Sequence, residues 1–486
     1  MQQNSNLKKD VFSGFIWKFM ERVASQGVSM VVSIILARLL TPEDYSVVGV
    51  VAIFFTVCNV IISGGLNTAL IQKKNADIED YSTVLNVSII LATVMYAIMF
   101  FAAPWIADLY HKEVLIPVVR VMSLTLFINA FNSVLSAYTS SQLQFRNFFT
   151  SSILGTVVSA IVGITMALKG YGAWALVVQQ MTSALAGTLV LFWMTHMRFI
   201  MKISLERLKT LFGYGSKIFL SSIITVVYDQ INPLIVGLKF SSTDLAYYTK
   251  GIGYPGLLNS TISDTLSAVL FPAMSKLQHD KEAVLQMTRQ YIRVASYVVF
   301  PIMLGFFAVS DKFVTAVLTD KWLPIVPYIR VFCFSYMFNI IHVGNLQAIK
   351  AIGRSDISLK LEIIKKSIFL AVVTAFVLLA KNPIILALSS IVTTMIATVV
   401  NTYPNRKLIG YRYRYQILDL VPNFILAVVM GMAVMLIGQL ELPALALMLL
   451  QIVSGAVIYV LLSVLTRNPN FKYLLDYIKI MVKRSG

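Results

Sequence analysis

Charged side chains are scarce in this sequence. They make up 13% of its 486 residues, against about 25% in an average soluble domain. Hydrophobic residues make up 58% and gather in blocks of ~20 or more, the length that crosses a bilayer as a helix. In lipid, backbone N–H and C=O groups find hydrogen-bond partners only in helices or closed β-barrels. The blocks here do not alternate between apolar and polar residues as barrel strands do. We therefore predict an all-α integral membrane protein.

Cysteine and histidine are also rare. Cys58 and Cys333 lie inside apolar runs, which favours buried small hydrophobes over a disulfide or a metal site. The four histidines are scattered, and the sequence has no metal-ligand spacing, glycine-rich phosphate loop or nucleophile elbow. We therefore expect neither a resident cofactor or metal nor enzymatic activity. The net charge of +18 fits cytoplasmic loops beside membrane lipids, so we do not expect nucleic acid as a partner.

Fourteen apolar segments are predicted to cross the membrane. The first carries Lys18, Glu21 and Arg22 and has no A-x-A cleavage site, so we interpret it as a retained span rather than a signal peptide. Every connection between spans is too short for a soluble domain. The predicted spans are 12–37, 46–71, 82–106, 115–139, 148–167, 172–194, 213–237, 246–273, 287–309, 324–348, 358–380, 384–403, 416–438 and 443–465.

Lys and Arg concentrate in alternate connections, which predicts the orientation. With both termini in the cytoplasm, the basic segments 198–209, 406–414 and 467–484 all lie inside, and the outer loops carry few cations. The charged hairpin in ALIQKKNADIEDYSTV (69–84) is then a cytoplasmic turn. The tail FKYLLDYIKIMVKR (471–484) has one apolar face, which favours an amphipathic helix on the inner membrane surface over a plain solubilising tail.

Two halves of the chain resemble each other in order along the sequence. ARLLTPEDYS (37–46) matches GLKFSSTDLA (237–246), and IPVVRVMSL (116–124) matches VPYIRVFCF (326–334). Because the paired segments share the same sidedness, we predict parallel repeats related by an axis along the membrane normal. Transporters built from repeats bind their substrate between the halves.

The predicted organisation is two pseudo-symmetric six-helix lobes plus two further helices. Its parts are an N-terminal lobe (1–195), a cytoplasmic linker (196–212), a C-terminal lobe (213–405), two additional transmembrane helices (406–466) and a basic amphipathic cytoplasmic tail (467–486).

Several charges lie inside the predicted spans, where each costs ~3 kcal/mol or more unless it faces a cavity or a partner. Polar residues recur every three or four positions in spans one, seven and eight, which predicts a water-filled cleft with more cations than anions. The candidate substrate-binding residues are Lys18, Arg22, Lys217, Lys250 and Arg293, and the candidate coupling residues are Asp229 and Asp264.

Other interpretations of these charges stay open. Lys365 and Lys366 lie one turn from Glu362 and are expected to pair locally or to extend to the membrane surface. For Arg120, Arg293 and Arg330, extension to the surface competes evenly with a place in the cleft. Lys18 with Glu21 and Arg22 could equally form an internal ion pair.

The stretch ERVASQGVSMVVSIILARLLTPEDYSVVGV (21–50), followed by ALIQKKNADIEDYSTV, resembles the N-terminal signature of the polysaccharide transporter family. Members of this family are flippases for lipid-linked oligosaccharides within the multidrug/oligosaccharidyl-lipid/polysaccharide (MOP) exporter superfamily. The sequence departs from the family pattern at ISGGLNTALIQ (61–71), where an acid is expected near Gly64. The resemblance therefore does not assign an ion-coupling acid to the second span.

The resemblance implies a V-shaped protein of two lobes in the bacterial cytoplasmic membrane. Its substrate would be an undecaprenyl-diphosphate-linked oligosaccharide, and the last two helices would help to form a groove for the lipid tail. Proton or sodium coupling, or the membrane potential alone, would drive export. Polysaccharide polymerase or assembly proteins are the expected protein partners.

Three other functions compete with this one. A multidrug exporter of the same superfamily would need an acidic cleft for cationic drugs, whereas the intramembrane charges here are mainly basic. A glycan polymerase would need a sizeable outer loop with reactive groups, and no such loop is present. A lipid II flippase for peptidoglycan fits the composition equally well.

Overall fold

The computed structural model describes residues 25–476 except positions 64, 74, 75, 143, 201, 276, 278 and 279. The predicted site residues Lys18 and Arg22 therefore lie outside the described residues. The helices are α1 Ser25–Leu39, α2 Pro42–Ser63, α3 Leu66–Gln72, α4 Ile78–Leu109, α5 Leu115–Ser123, α6 Thr125–Ser141, α7 Phe145–Leu168, α8 Ala173–Thr195, α9 Leu205–Lys239, α10 Ser242–Ser275, α11 Lys281–Phe313, α12 Val326–Met337, α13 Asn339–Ala351, α14 Ser355–Leu379, α15 Pro383–Thr402, α16 Asn405–Leu408, α17 Tyr413–Ile437 and α18 Ala444–Leu465.

Eleven segments of the described chain are helical, long and apolar enough to cross a membrane. They match eleven of the predicted spans, and no strand occurs among the described residues, so the prediction of an all-α membrane protein is confirmed. Of the other three, 12–37 is only partly described, and α10 and α14 are long but more polar helices. The number fourteen therefore stays a prediction.

The described chain divides into two compact units, the first ending at Ala246 and the second beginning at Tyr247. In the first unit α3, α4, α6, α8 and α9 meet around a buried apolar core that includes Leu70, Leu85 and Leu135. In the second unit α11 packs against α12, α17 and α18. Helix α9 packs against α2 and α3 of the first unit, whereas the sequence places 213–237 in the C-terminal lobe. The predicted lobe limits remain a proposal.

Hydrogen bonds within the two matched segments, 37–46 and 237–246, repeat at the same spacing. The Asp44 backbone N–H donates a hydrogen bond to the Thr41 hydroxyl at 3.2 Å. That hydroxyl in turn donates to the Asp44 carboxylate at 2.9 Å. Ser241 and Asp244 make the same two hydrogen bonds, at 3.0 and 2.7 Å. These equivalent caps fix the starts of α2 and α10.

The matched arginines also have equivalent partners. Arg120 Nε donates to the Phe100 carbonyl oxygen at 3.4 Å, and its guanidinium lies 4.2 Å from the Phe100 ring centroid. Arg330 Nε donates to the Ser310 hydroxyl at 3.2 Å and lies 5.6 Å from the Phe307 ring centroid. Both arginines are thus held by the preceding long helix of their own unit.

A pair of asparagines repeats in the same way, although the sequence comparison missed it. Asn129 Nδ2 donates to Asn59 Oδ1 at 2.9 Å in the first unit, and Asn339 Nδ2 donates to Asn259 Oδ1 at 3.1 Å in the second. Each bond joins the long helix α2 or α10 to the second segment of a broken span, α6 or α13. Asn129 is therefore equivalent to Asn339.

The charged hairpin between α3 and α4 holds the linker that follows α8. Asp77 and Asp80 form a capping box at the start of α4, and Arg207, in the first turn of α9 directly after this linker, pairs with Asp77, Glu79 and Asp80. The hydrogen bond from Arg207 lowers the pKa of the Asp77 carboxyl to about 2, so this carboxylate is ionised at neutral pH. Lys73 also pairs with Asp80, at 2.6 Å.

The end of the tail is helical over residues 469–476, where the sequence predicts an amphipathic helix. Residues 477–484 of that prediction lie outside the described residues, and membrane association of the tail stays a prediction.

Gly65 allows α3 to approach α9 closely. Its φ of 86° lies in the left-handed region, and a Cβ at this position would lie 2.1 Å from the Gly215 carbonyl oxygen. Any other residue at position 65 would meet both backbone strain and a clash with backbone.

We expect Gly65→Ala to destabilise the first unit by about 2 kcal/mol or more, because both penalties apply at once. The measurement is the thermal unfolding midpoint of the purified protein in detergent. Gly213→Ala is the matched control, since a Cβ there has nothing within 4 Å. Equal midpoints for the two variants would show that the close approach of α3 and α9 contributes nothing to stability.

Candidate functional site

Two predicted site residues lie in the first unit, both on α9. Lys217 and Asp229 are exposed side chains separated by more than three helical turns. They therefore do not pair with each other. Lys217 directly precedes Ile218, which lines a cavity between α2, α3, α6 and α9.

The remaining predicted site residues that the structure describes, Lys250, Asp264 and Arg293, belong to the second unit. Lys250 is partly buried on α10, and its ammonium lies 5.9 Å from the ring centroid of Trp322, a fully buried side chain. A cation over an aromatic face gains electrostatic attraction from the ring. Asp264 lies on α10, but its side chain is not among those described.

Arg293 takes part in a cluster around one buried carboxylate. The Asp419 side chain is only 1% exposed. It accepts hydrogen bonds from Arg293 Nε at 2.6 Å, from Arg289 Nε at 2.9 Å and from the Tyr411 hydroxyl at 2.8 Å. Burial and the adjacent Asp419 raise the pKa of Tyr411, so the phenol stays protonated and donates. One carboxylate thus faces two guanidiniums, which leaves the cluster with one excess positive charge.

The sequence did not single out Asp419, although two signals were available. Asp419 is an acid inside the predicted span 416–438, and Arg289 and Arg293 lie four residues apart on one face of a single helix. The pairing itself joins α11 to α17, helices more than a hundred residues apart in the chain.

An amide network extends the contact between these two helices. Asn423 Nδ2 donates to the Arg293 carbonyl oxygen at 2.9 Å and to the Ser296 hydroxyl at 2.8 Å. Asn468 and Asn470 both donate to Asn423 Oδ1, at 3.2 Å. The chain after α18 is therefore tied to α17, at the residue that contacts α11.

Farther along the same helices the surface becomes an apolar groove. A cavity of about 550 Å³ lies between α10, α11, α17 and α18, and its walls include Pro301, Phe306, Met430, Gln451 and Gly455. Ligand cavities commonly enclose ~300–1,000 Å³. Since almost all of the lining is apolar, the groove suits a hydrocarbon chain. The groove that the family resemblance implies for the last two helices has a counterpart here, formed with α11 and α10.

In the described part of the chain, no group of three or more His, Cys, Asp or Glu side chains has an arrangement that could hold a metal ion. What the described side chains do bring together is a cationic cluster and an apolar groove on shared helices.

The fold matches two transporters of known structure. Compared with the lipid II flippase MurJ in an inward closed conformation, the chain has a TM-score of 0.72 and 14% identity over 94% of this chain and 99% of that one. For an inward-facing multidrug resistance MATE family transporter of the MOP superfamily, the TM-score is 0.61 and the identity is 16%, over 81% of this chain and 98% of that one. The protein is therefore an all-α membrane protein with the fold of the MOP superfamily.

A family model described as polysaccharide biosynthesis protein matches residues 35–327. The match covers more than half of the chain, so the chain belongs to this family, and the resemblance seen in the sequence is confirmed.

Relatives with assigned names are distant in sequence. The lipopolysaccharide biosynthesis protein WzxC of Escherichia coli (strain K12) is 23% identical over 454 residues, which are 90% of either chain. The succinoglycan biosynthesis transport protein ExoT of Rhizobium meliloti (strain 1021) is 22% identical over 306 residues, 63% of this chain. The match spans 62% of ExoT, slightly less than two thirds of its length.

We expect Asp419→Asn to destabilise the second unit by about 3 kcal/mol, because it leaves two arginines without their buried counter-charge. The thermal unfolding midpoint in detergent measures the loss. Asp356→Asn is the control, since Asp356 pairs with Arg354 in an exposed ion pair at 2.9 Å and should change little. A midpoint for Asp419→Asn equal to that of the control would mean that the cluster does not hold α17 to α11.

Proposed function

We propose that the protein is a flippase that moves an undecaprenyl-diphosphate-linked oligosaccharide from the inner to the outer leaflet of a bacterial cytoplasmic membrane. The observation that carries this proposal lies in the second unit. There α11 and α17 bear a cluster with excess positive charge near their predicted inner ends and an apolar groove farther along. This order matches a lipid whose anionic head group lies at the inner membrane surface and whose tail runs into the bilayer.

The groove would orient the tail rather than supply much binding energy. Lipid chains are as apolar as the groove walls, so the gain comes from packing and not from the hydrophobic effect. Binding energy would come instead from the diphosphate, whose charges are compensated by cations. The cations that we propose for the diphosphate are those predicted from the sequence: Lys18, Arg22, Lys217, Lys250 and Arg293.

The membrane potential favours export of such a head group. A diphosphate carries about two negative charges, and moving them outward across 100 mV, inside negative, gains ~4.6 kcal/mol at ~2.3 kcal/mol per charge. Transport by alternating access therefore needs no nucleotide. Proton or sodium coupling through Asp229 or Asp264 is the alternative to the potential alone.

The rest of the proposal follows from this role. The protein acts as a transporter and not as an enzyme, and both termini lie in the cytoplasm. Its product would be consumed by polysaccharide polymerase or assembly proteins at the outer surface. The names of WzxC and ExoT, which refer to lipopolysaccharide and succinoglycan biosynthesis, support a surface polysaccharide as the end product.

A lipid II flippase is the second candidate, since the MurJ fold matches over nearly the whole chain. The two functions differ in what a cell loses without the protein. Lipid II is required for the cell wall, whereas a single surface polymer is dispensable.

Deletion of the gene is expected to leave growth normal, to abolish one surface polysaccharide and to cause its undecaprenyl-diphosphate-linked repeat unit to accumulate. Mass spectrometry of extracted lipids identifies the unit, and expression of the wild-type gene is the control. Loss of viability with accumulation of lipid II would favour the second candidate. Unchanged lipids and polymers would contradict both.

Expressed in the deletion strain in place of the wild-type protein, Gly305→Leu is expected to lower export by about tenfold, which corresponds to ~1.4 kcal/mol on the transport barrier. A Cβ at Gly305 meets only Met430 Cε, at 3.7 Å, so the larger side chain grows into the groove without displacing backbone. Export is measured as surface polysaccharide at equal protein level.

Gly253→Leu on α10 is the matched control, because a Cβ there has nothing within 4 Å. Wild-type export from Gly305→Leu would show that the groove takes no part in transport.

A further inference from the structure

A second cavity, in the first unit, has a different chemistry from the groove. It encloses about 390 Å³ between α2, α3, α6 and α9, within the ~300–1,000 Å³ of ligand cavities. Most of its polar lining consists of uncharged hydroxyl and amide groups. They include the side chains of Ser63, Asn67, Ser133, Ser136, Ser140 and Ser222.

The repeat shows that the fold does not require these hydroxyls. The equivalence of Asn129 with Asn339 pairs the α6 serines 133, 136 and 140 with Val343, Leu346 and Lys350 on α13. Helix α13 therefore occupies the corresponding place in the second unit without a serine at any of the three positions. Packing alone does not explain a row of hydroxyls on α6.

Several of these polar groups lack partners among the described residues. Asn67 Oδ1 is buried from solvent and has no hydrogen-bond partner. The Ser140 and Ser222 hydroxyls likewise make no hydrogen bond within the described part of the chain. Ser136 does donate, to Asn132 Oδ1 at 3.3 Å, but its oxygen can still accept. Leaving the buried Asn67 oxygen without a partner costs ~1–3 kcal/mol, and a ligand that donates a hydrogen bond to it would remove this cost.

The cavity is neutral, which separates it from a diphosphate site. Among the described residues that line it, none is charged, and Val60, Ile71 and Ile218 add apolar surface between the hydroxyls. A pyranose ring has this mixed character, since hydroxyls surround its edge and C–H groups form its faces. We propose that this cavity binds one monosaccharide of the lipid-linked glycan, an inference that rests on the proposed function.

The position of the cavity agrees with this role. Ser140 lies in the last turn of α6, and Ile71 lies in the last turn of α3, directly before the hairpin predicted to be cytoplasmic. The glycan is presented for export from that side. Lys217, a proposed ligand of the diphosphate, directly precedes Ile218 in the cavity wall.

The test compares lipids that differ only by one sugar. Full-length protein in nanodiscs is titrated with undecaprenyl diphosphate and with the same lipid carrying a single glucose, galactose or N-acetylglucosamine. We expect at least one sugar-bearing lipid to bind about tenfold more tightly than the bare lipid, a gain that one or two neutral hydrogen bonds provide.

Ser136→Leu, which places the α13 residue type on α6, should remove this gain and leave affinity for the bare lipid unchanged. Ser136→Thr keeps a hydroxyl and should keep the gain. Thr165→Val is the control, because that exposed hydroxyl bonds only within its own helix. If Ser136→Leu does not fold, the double variant Ser140→Ala with Ser222→Ala removes two partnerless hydroxyls without adding volume and must reduce the gain.

The outcomes separate the two proposals. Equal affinity for all four lipids, or a sugar-dependent gain that survives both the Ser136→Leu and the double variant, would overturn the sugar site and leave the flippase intact. Failure to bind any of the undecaprenyl diphosphate lipids would overturn the proposed function as well.

Discussion

Hydrocarbon offers no hydrogen-bond partner, so each polar side chain inside a membrane helix must find one on its own helix or a neighbouring helix, or face water. The Asp419 carboxylate shows this constraint most clearly. Two guanidiniums and a phenol surround it, and together they fasten α17 to α11. The Asn59–Asn129 and Asn259–Asn339 bonds serve the same end in their own units. Helix packing in this protein is thus specified by a few polar contacts among many interchangeable apolar ones.

By the same constraint, polar groups that have no partner within the protein are candidates for binding a ligand. In the second unit the buried Asp419 carboxylate is paired with two guanidiniums, and the surface beyond them is an apolar groove. In the first unit the α6 hydroxyls face a neutral cavity, whereas the equivalent positions of α13 carry no serine. The two repeats therefore differ in the chemistry of their cavities: one is apolar, and the other is neutral and lined by hydroxyls. The lipid tail and the glycan of a single substrate would require these two kinds of surface.

Local patterns in the sequence predicted much of this architecture. Unbroken apolar blocks predicted the helices, and the match of 37–46 with 237–246 predicted a repeat, within which the Thr41 and Ser241 hydroxyls make equivalent hydrogen bonds at helix starts. The expected local pairing of Lys365 with Glu362 is present at 2.6 Å. These features could be predicted because each depends only on neighbours within one or two helical turns. The polar character of α10 and α14 shows the limit of the same reasoning, since hydropathy alone did not fix the number of spans.

The sequence by itself determined that the chain is helical, crosses the membrane and contains a repeat, because periodicity and hydropathy act within a single segment. Only the tertiary structure decided which charges are paired and which cavities exist. Arg293 was grouped with lysines for a cleft, yet it meets Asp419, which follows it by 126 positions. The cavity on α6 likewise needs α2, α3 and α9 to close around it. A partner so far away in the chain is set by how helices pack, and no local pattern records it.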